Sequence, residues 1–164
     1  MPERDVPDHG KKQYLTFQVE QQKCALYVGE VCEVIVYSPL TNIPGMEEWF
    51  SGVFNMRGKA VPVIDLKYRI GKSKSIPDDD SAIIVTQPKG WSDRSLQVGI
   101  LVDAVHTVMD LYSDQIQPVP TVGVSLDLSF MEGVVEEKGD FLFLVDLKKV
   151  LNKKAEQESE ERSE

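Results

Sequence analysis

Asn55-Met56-Arg57-Gly58 is the stretch best equipped for recognition chemistry. Arg57 offers a planar fork of donors that pairs bidentately with a carboxylate. Strand alternation places Asn55 and Arg57 on one face, opposite Met56. On the residues alone, a binding role for Arg57 weighs equally with the plainer reading of an internal ion pair or an exposed surface arginine. A second feature lies upstream, where Val28, Val31 and Val34 recur every three residues with Glu33 among them. In a helical turn leading into a strand these valines form one apolar ridge. Such a ridge is usually core, but part of it is available as a docking patch if the protein's interior is small.

Catalytic chemistry finds no comparable footing. Gly71-Lys72-Ser73 looks like the end of a phosphate-binding Walker loop, yet that loop needs a glycine five positions earlier, where Leu66 stands. There is no G-x-G-x-x-G, and no G-x-S-x-G turn to expose a nucleophilic serine. Of the two histidines, His9 falls in a tail and His106 in a strand, and neither has a partner at metal-ligand spacing. Asp78-Asp79-Asp80 follows Pro77 and reads as a solvated linker, because calcium loops space their ligands around a glycine. The expectation is a protein with no catalytic residue, no metal site and no cofactor. Cys24 and Cys32 each sit among apolar residues and read as small buried hydrophobes rather than a disulfide.

The elements that must position these residues are mostly short strands. Tyr14–Glu20 alternates with Leu15, Phe17 and Val19 on one face, and Ser95–Asp103 with Leu96, Val98, Ile100 and Val102. Lys23–Val28, Gly52–Arg57, Lys59–Asp65, Ser81–Thr86, His106–Leu111 and Phe141–Val145 are also rich in branched and aromatic residues. Turn signals separate them, among them Pro44-Gly45 and Lys138-Gly139-Asp140. Asp65–Ile70 and Asp146–Lys153 suit short helices, each opened by an aspartate that caps its first turn.

The chain repeats itself. Gly52-Val53, Gly58, Asp65-Leu66-Lys67 and Ile70 recur 81 residues later as Gly133-Val134, Gly139, Asp146-Leu147-Lys148 and Leu151. A second match runs from Tyr27-Val28, Val31 and Val34-Ile35 to Leu101-Val102, Val105 and Val108-Met109, at an offset of 74. The difference of seven places about seven extra residues in the later copy, around Tyr112–Leu128. Two similar five-stranded β-barrels follow from this pattern, a size that closes its own edges. The duplication is also a control. The glycines, Asp and Leu persist in both copies and are explained by folding, whereas Asn55 and Arg57 become Glu136 and Lys138.

Composition bounds the partners. The net charge is −9 over 164 residues, and no basic stripe is present for phosphate contacts. Nucleic acid and an anionic membrane surface are therefore not expected partners. No apolar run approaches the roughly 20 residues that span a bilayer, and Met1–Lys12 lacks the apolar core of a secretory signal, so the cytoplasm is the expected location. Residues 1–12 read as a flexible tail, 13–151 as a single domain with sequence halves at about 13–71 and 80–151, and 152–164 as an acidic tail.

The motif F-x-G-V-x-N-[LM]-R-G-x-x-x-P-V-[IV]-D-L, read from Phe50 to Leu66, resembles the hallmark of the CheW-like domain family. The similarity extends from about Gln13 to Leu151, through Val98–Val105 and the closing FLFLVDLKKVL. Departures are small: Met56 replaces the family's usual Leu, and Lys67 stands where Arg is common. The resemblance implies an all-β fold of two intertwined five-stranded SH3-like barrels with short helical segments. It implies a non-catalytic chemotaxis adaptor that couples transmembrane chemoreceptors to the histidine kinase CheA, in the cytoplasm at receptor clusters. It also implies that Glu33 and Arg57 form a salt bridge near a receptor-binding groove shaped by Gly52, Asn55 and Gly58. Val28, Val31 and Val34, with Leu15, would form the patch that meets the kinase's regulatory domain. The same domain occurs in CheV, but no room is left for that protein's receiver domain. A homologous adaptor in surface motility or development is the alternative, and a ligand-binding β-barrel a third class.

Overall fold

Alternation at a period of two gives each strand two faces with different fates, and the protein uses both faces of most strands. In the computed structural model, which describes residues 10–89, 96–120 and 128–152, ten strands are present. They are β1 (Lys12–Val19), β2 (Gln22–Tyr27), β3 (Val31–Val36), β4 (Phe50–Met56), β5 (Lys59–Asp65), β6 (Ala82–Thr86), β7 (Val98–Val102), β8 (Ala104–Leu111), β9 (Met131–Glu137) and β10 (Asp140–Val145). Two short helices, α1 (Leu66–Arg69) and α2 (Leu147–Leu151), follow β5 and β10. The expected tails lie largely outside the described residues, as does Ser95, the expected start of the β7 run.

The strands make two five-stranded sheets, β8-β1-β2-β10-β9 (sheet A) and β3-β6-β7-β5-β4 (sheet B). Sequence halves and sheets do not coincide. The first two strands of each half join the other half's sheet, where β2 runs parallel to β10 and β7 parallel to β5. Residues of both halves therefore build each sheet, as the intertwined fold requires.

Three apolar clusters result. Tyr14, Ala25, Leu111, Val135, Leu142 and Leu144 fill the inside of sheet A. Phe54, Val61, Val63, Ile83, Val85 and Leu101 do the same for sheet B. The opposite faces, including Leu15, Phe17, Leu26, Ile64, Ile84 and Ile100, meet in a larger shared core. That is why β6 and β7 are buried at every position. The expected one-face sets, Leu15/Phe17/Val19 and Val98/Ile100/Val102, all point into this shared core.

The duplication is visible in detail. Asp65 and Asp146 each cap the helix that follows, Asp65 accepting from the Tyr68 N–H and Asp146 from those of Lys148 and Lys149. The Asp65 N–H donates to the Trp49 carbonyl at 2.8 Å and that of Asp146 to the Phe130 carbonyl at 2.9 Å. The chain leaving β3 bridges to β4 at Thr41 and Val53, and the chain leaving β8 bridges to β9 at Gln117 and Val134. Measured from these bridges, two of the seven extra residues precede Gln117 and five follow it; residues 121–127 of this insertion lie outside the described residues.

Arg69 breaks the symmetry and joins the halves. It is buried, with its guanidinium carbon 4.0 Å from the ring centre of Trp49 and 4.7 Å from that of Phe130, equivalent residues of the two copies. Its Nε donates to the Val150 carbonyl at 3.0 Å and its Nη2 to that of Asn152 at 3.3 Å. A cation stacked on two aromatic faces and satisfying carbonyls at the end of α2 is a favourable burial for a charge.

One cysteine departs from expectation. Cys24 is buried, but Cys32 is exposed. A bulge between Val31 and Glu33 in the β3–β6 ladder turns the Cys32 side chain outward, toward the amides of Gln87 and Gln97.

Candidate functional site

The site is built on the β4–β5 hairpin and on β3, the two edges of sheet B. The hairpin turn has two residues, Arg57 at φ 53° and Gly58 at φ 85°. Two successive positive φ values are the signature of the turn whose twist matches the flanking strands. Lys138 and Gly139 repeat it at 51° and 87°. Arg57 is thus not the last residue of a strand face shared with Asn55; β4 ends at Met56, and Arg57 projects from the turn itself.

Asn55 also has a folding role, contrary to the reading that the fold does not require it. Its Oδ1 accepts the Gly58 N–H at 2.7 Å, which closes the turn. Gly52 is required for packing: its φ is 145°, and a Cβ there would lie 2.8 Å from the Thr41 carbonyl oxygen. Its counterpart Gly133 meets the same need, since a Cβ there would lie 3.0 Å from the Gln117 carbonyl. Both glycines let the bridging chain come close.

Glu33 and Arg57 do pair. Arg57 Nη2 donates to Glu33 Oε1 at 2.9 Å, with 72% of the Arg57 side chain and 36% of the Glu33 side chain exposed. In sheet B β3 and β4 stand at opposite edges, so the pair spans the seam where the curled sheet's edges face one another. An ion pair this exposed contributes only about 0.2–1 kcal/mol to folding. Most of its donors and acceptors remain open to another molecule. Beside it runs a cleft of about 240 Å³ lined by Thr41, Ile43, Val53, Phe54, Asn55, Gly58 and Ala60. Ile43 is exposed at its mouth, so the cleft offers an apolar wall next to a charged pair.

The valine ridge is realised in part. A 3-10 turn at Val28–Glu30 leads into β3, and the bulge at Cys32 brings Val31 and Val34 to one side of the strand. Cross-strand register assigns that side: Val31 stands opposite Thr86 and Val34 opposite Ile84, whose side chain lies in the shared core. Val28 and Val31 pack against that core, while Val34 at the edge is 42% exposed. Leu15 is buried in the shared core and contributes no exposed surface. Val36, not singled out from the sequence, continues the stripe and is 75% exposed. Its place in the alternation after Val34 was the available signal.

Elsewhere the chemistry is sparse. Among the described residues, no group of three His, Cys, Asp or Glu side chains is placed to hold a metal ion. His106 is exposed on β8 and hydrogen-bonded to Gln18 Oε1 at 3.0 Å. Asp78 caps its own turn, accepting from the Asp80 N–H at 2.9 Å and the Ser81 hydroxyl at 3.3 Å. Among the described residues, no helix is long and apolar enough to cross a membrane.

The model of the CheW-like domain matches residues 13–155. The chain belongs to the CheW-like domain family. Chemotaxis protein CheW of Rhizobium meliloti is 32% identical over 142 residues, covering 87% of this chain and 88% of the relative. Chemotaxis protein CheW of Bacillus subtilis is 29% identical over 144 residues, covering 87% and 88%. A crystal structure of the scaffolding protein TtCheW from Thermoanaerobacter tengcongensis superposes with a TM-score of 0.75 at 31% identity, covering 87% of this chain and 94% of that one. The all-β architecture of two five-stranded sheets with few short helices is thus that of a CheW structure. The protein falls in the CheW class of chemotaxis scaffolds and adaptors.

Proposed function

We infer that the protein is a non-catalytic adaptor that couples chemoreceptors to the histidine kinase CheA and so controls kinase activity. The observation that carries this reading is the Glu33–Arg57 pair, at 2.9 Å and largely exposed, beside an apolar cleft. A helical receptor tip carries both apolar and charged side chains, and a groove with one apolar wall and one open ion pair complements such a surface. Gly52, Asn55 and Gly58 act by shaping the hairpin and the cleft, and Arg57 and Glu33 by direct contact. The kinase's regulatory domain docks on the stripe of Val28, Val31 and Val34, extended by Val36. Leu15 supports that stripe from within the core. The protein works in the cytoplasm, at the membrane only through the receptors it binds.

The similarity to Protein PilI of Pseudomonas aeruginosa, 30% over 96 residues, covers 56% of this chain and 51% of that protein. The CheW relatives cover far more, which favours the chemotaxis pathway over another output. Co-sedimentation with receptor fragments and kinase tests the reading. The intact protein is expected to join both and to raise receptor-dependent kinase autophosphorylation, with no turnover of its own. Failure to bind either partner would sink it.

A further inference from the structure

The second hairpin stands where the first one does, but its surroundings differ in a way that leaves a site open. In sheet B the hairpin end is filled from within. Met56 packs against the interior cluster together with Ile35, and the Glu33–Arg57 pair straps the seam. In sheet A the positions equivalent to Met56, Glu33 and Arg57 are Glu137, Thr107 and Lys138. Glu137 cannot plug an apolar interior, because burying an unpaired carboxylate is costly. Thr107 provides no carboxylate for Lys138; its N–H instead bonds the Thr16 hydroxyl at 3.1 Å. Among the described residues, neither plug nor strap is therefore present.

A cleft of about 360 Å³ occupies the place, larger than the one beside Asn55. Its inner wall includes Leu142, a member of the sheet A interior, and Met109, which packs against it. Its rim carries Lys23, His106 and Glu137. The Lys23 ammonium already faces Asp140 at 3.6 Å, and His106 is bonded to Gln18. The Glu137 carboxylate has no hydrogen bond or ion pair with any described residue, although the Glu137 backbone pairs with Asp140 in the hairpin, so the uncompensated charge at the rim is negative.

We propose that this cleft receives an aliphatic cation, the side chain of a lysine or arginine presented by a partner protein. The methylene stem takes the position against Met109 and Leu142 that Met56 takes in sheet B. The cationic head meets Glu137. Lysine and arginine side chains suit such a division, burying the stem and keeping the charge at the rim. The site is separate from the receptor and kinase surfaces, which both lie on sheet B and its edge strand β3.

Amide shifts of the full chain, titrated with n-butylguanidinium, test this directly. Saturable shifts are expected at Thr107, Met109 and Leu142, with the neutral isostere n-butylurea binding about fivefold more weakly, as a rim ion pair predicts. Glu137→Met copies the plug of sheet B and is expected to abolish the shifts. Glu137→Gln keeps the shape of the side chain and is expected to make the two probes equal. A blocked Gly-Arg-Gly peptide separates a protein partner from a free small cation: it is expected to bind as n-butylguanidinium does. Absence of saturable shifts, equal binding of n-butylurea to the unaltered chain, or persistence in a folded Glu137→Met variant overturns the site. Binding of the free cation without the peptide overturns the partner.

Discussion

Reversal of the charge at Arg57 separates a binding role from a folding role by magnitude. The pair with Glu33 is exposed on both sides, so its loss costs folding at most about 1 kcal/mol, with a similar or smaller amount from the new carboxylate facing Glu33. The turn itself is indifferent, because Arg57 at φ 53° bears the left-handed penalty of roughly 1–2 kcal/mol that any non-glycine residue bears there. Against the 5–15 kcal/mol typical of a domain, roughly 1–2 kcal/mol leaves Arg57→Glu folded. Receptor coupling is expected to fall about tenfold, equivalent to about 1.4 kcal/mol in binding. The assay is receptor-dependent kinase autophosphorylation beside urea denaturation of the same preparation. The double exchange Glu33→Arg with Arg57→Glu restores an attractive pair and is expected to recover stability but not coupling. Unchanged coupling in Arg57→Glu refutes the contact role. A stability loss beyond about 3 kcal/mol refutes the bookkeeping and makes the pair a folding element.

Three other perturbations follow. Arg69→Met removes the charge-assisted hydrogen bonds to the Val150 and Asn152 carbonyls and stacking on Trp49 and Phe130, and should cost about 3 kcal/mol in urea denaturation; a loss under about 0.5 kcal/mol would contradict its role as a tie between the halves. Burial pushes the Cys24 thiol up to about 12 from an ordinary 9.0, so the unfolded chain ionises first, and stability is present below pH 9.0 and lost as pH rises toward 12. Burial and the nearby Glu132 also hold the Tyr14 hydroxyl above its ordinary range, which steepens the same alkaline loss. The urea midpoint measured against pH, with Cys24→Ala showing a shallower fall, checks the sign, and a thiol reagent should modify exposed Cys32 well before Cys24. Gly52→Ala puts a methyl group 2.8 Å from the Thr41 carbonyl at a φ of 145°, and is expected to destabilise by about 1–3 kcal/mol in the same denaturation; full stability would remove the close-approach argument.

Much of the fold was readable because its signals are local. Two-residue alternation marked β1 and β7, branched and aromatic content marked β5 and β6, and the aspartates at 65 and 146 marked both helix starts. The repeat marked the duplication and even the insertion. Three things were not local. The exchange of hairpins between halves depends on which sheet each strand joins, and the pattern within a strand does not say. Arg69 reads as one more basic residue of a helix end, yet its partners Val150 and Asn152 lie 81 and 83 positions away. The turn placement of Arg57 was hidden because alternation continues smoothly through Met56, while the change of φ sign occurs only at the next residue. At the site itself, the Glu33–Arg57 pairing came from family resemblance. Residue spacing alone left Arg57 open between a binding role on one side and an internal pair or surface position on the other.

The two halves also differ at the edge proposed for the kinase. Val34 and Val108 occupy equivalent positions on the edge strands β3 and β8, and both are exposed, at 42% and 50%. Apolar exposure at this position is therefore a property of the edge in this fold, and by itself it does not choose one edge over the other. The neighbours do choose. Two residues on, β3 carries Val36, exposed at 75%, whereas β8 carries Asp110, which faces Lys11 at 3.9 Å. A charged pair beside an apolar stripe costs desolvation when a partner covers it, and charges are depleted from the buried centres of interfaces. On β3 the stripe runs on through Val34 and Val36 with no charge on that side, since Glu33 faces the other side of the strand. An apolar partner strand or loop therefore loses less by covering β3 than by covering β8, and the same duplication that built two similar edges left one of them better suited to docking.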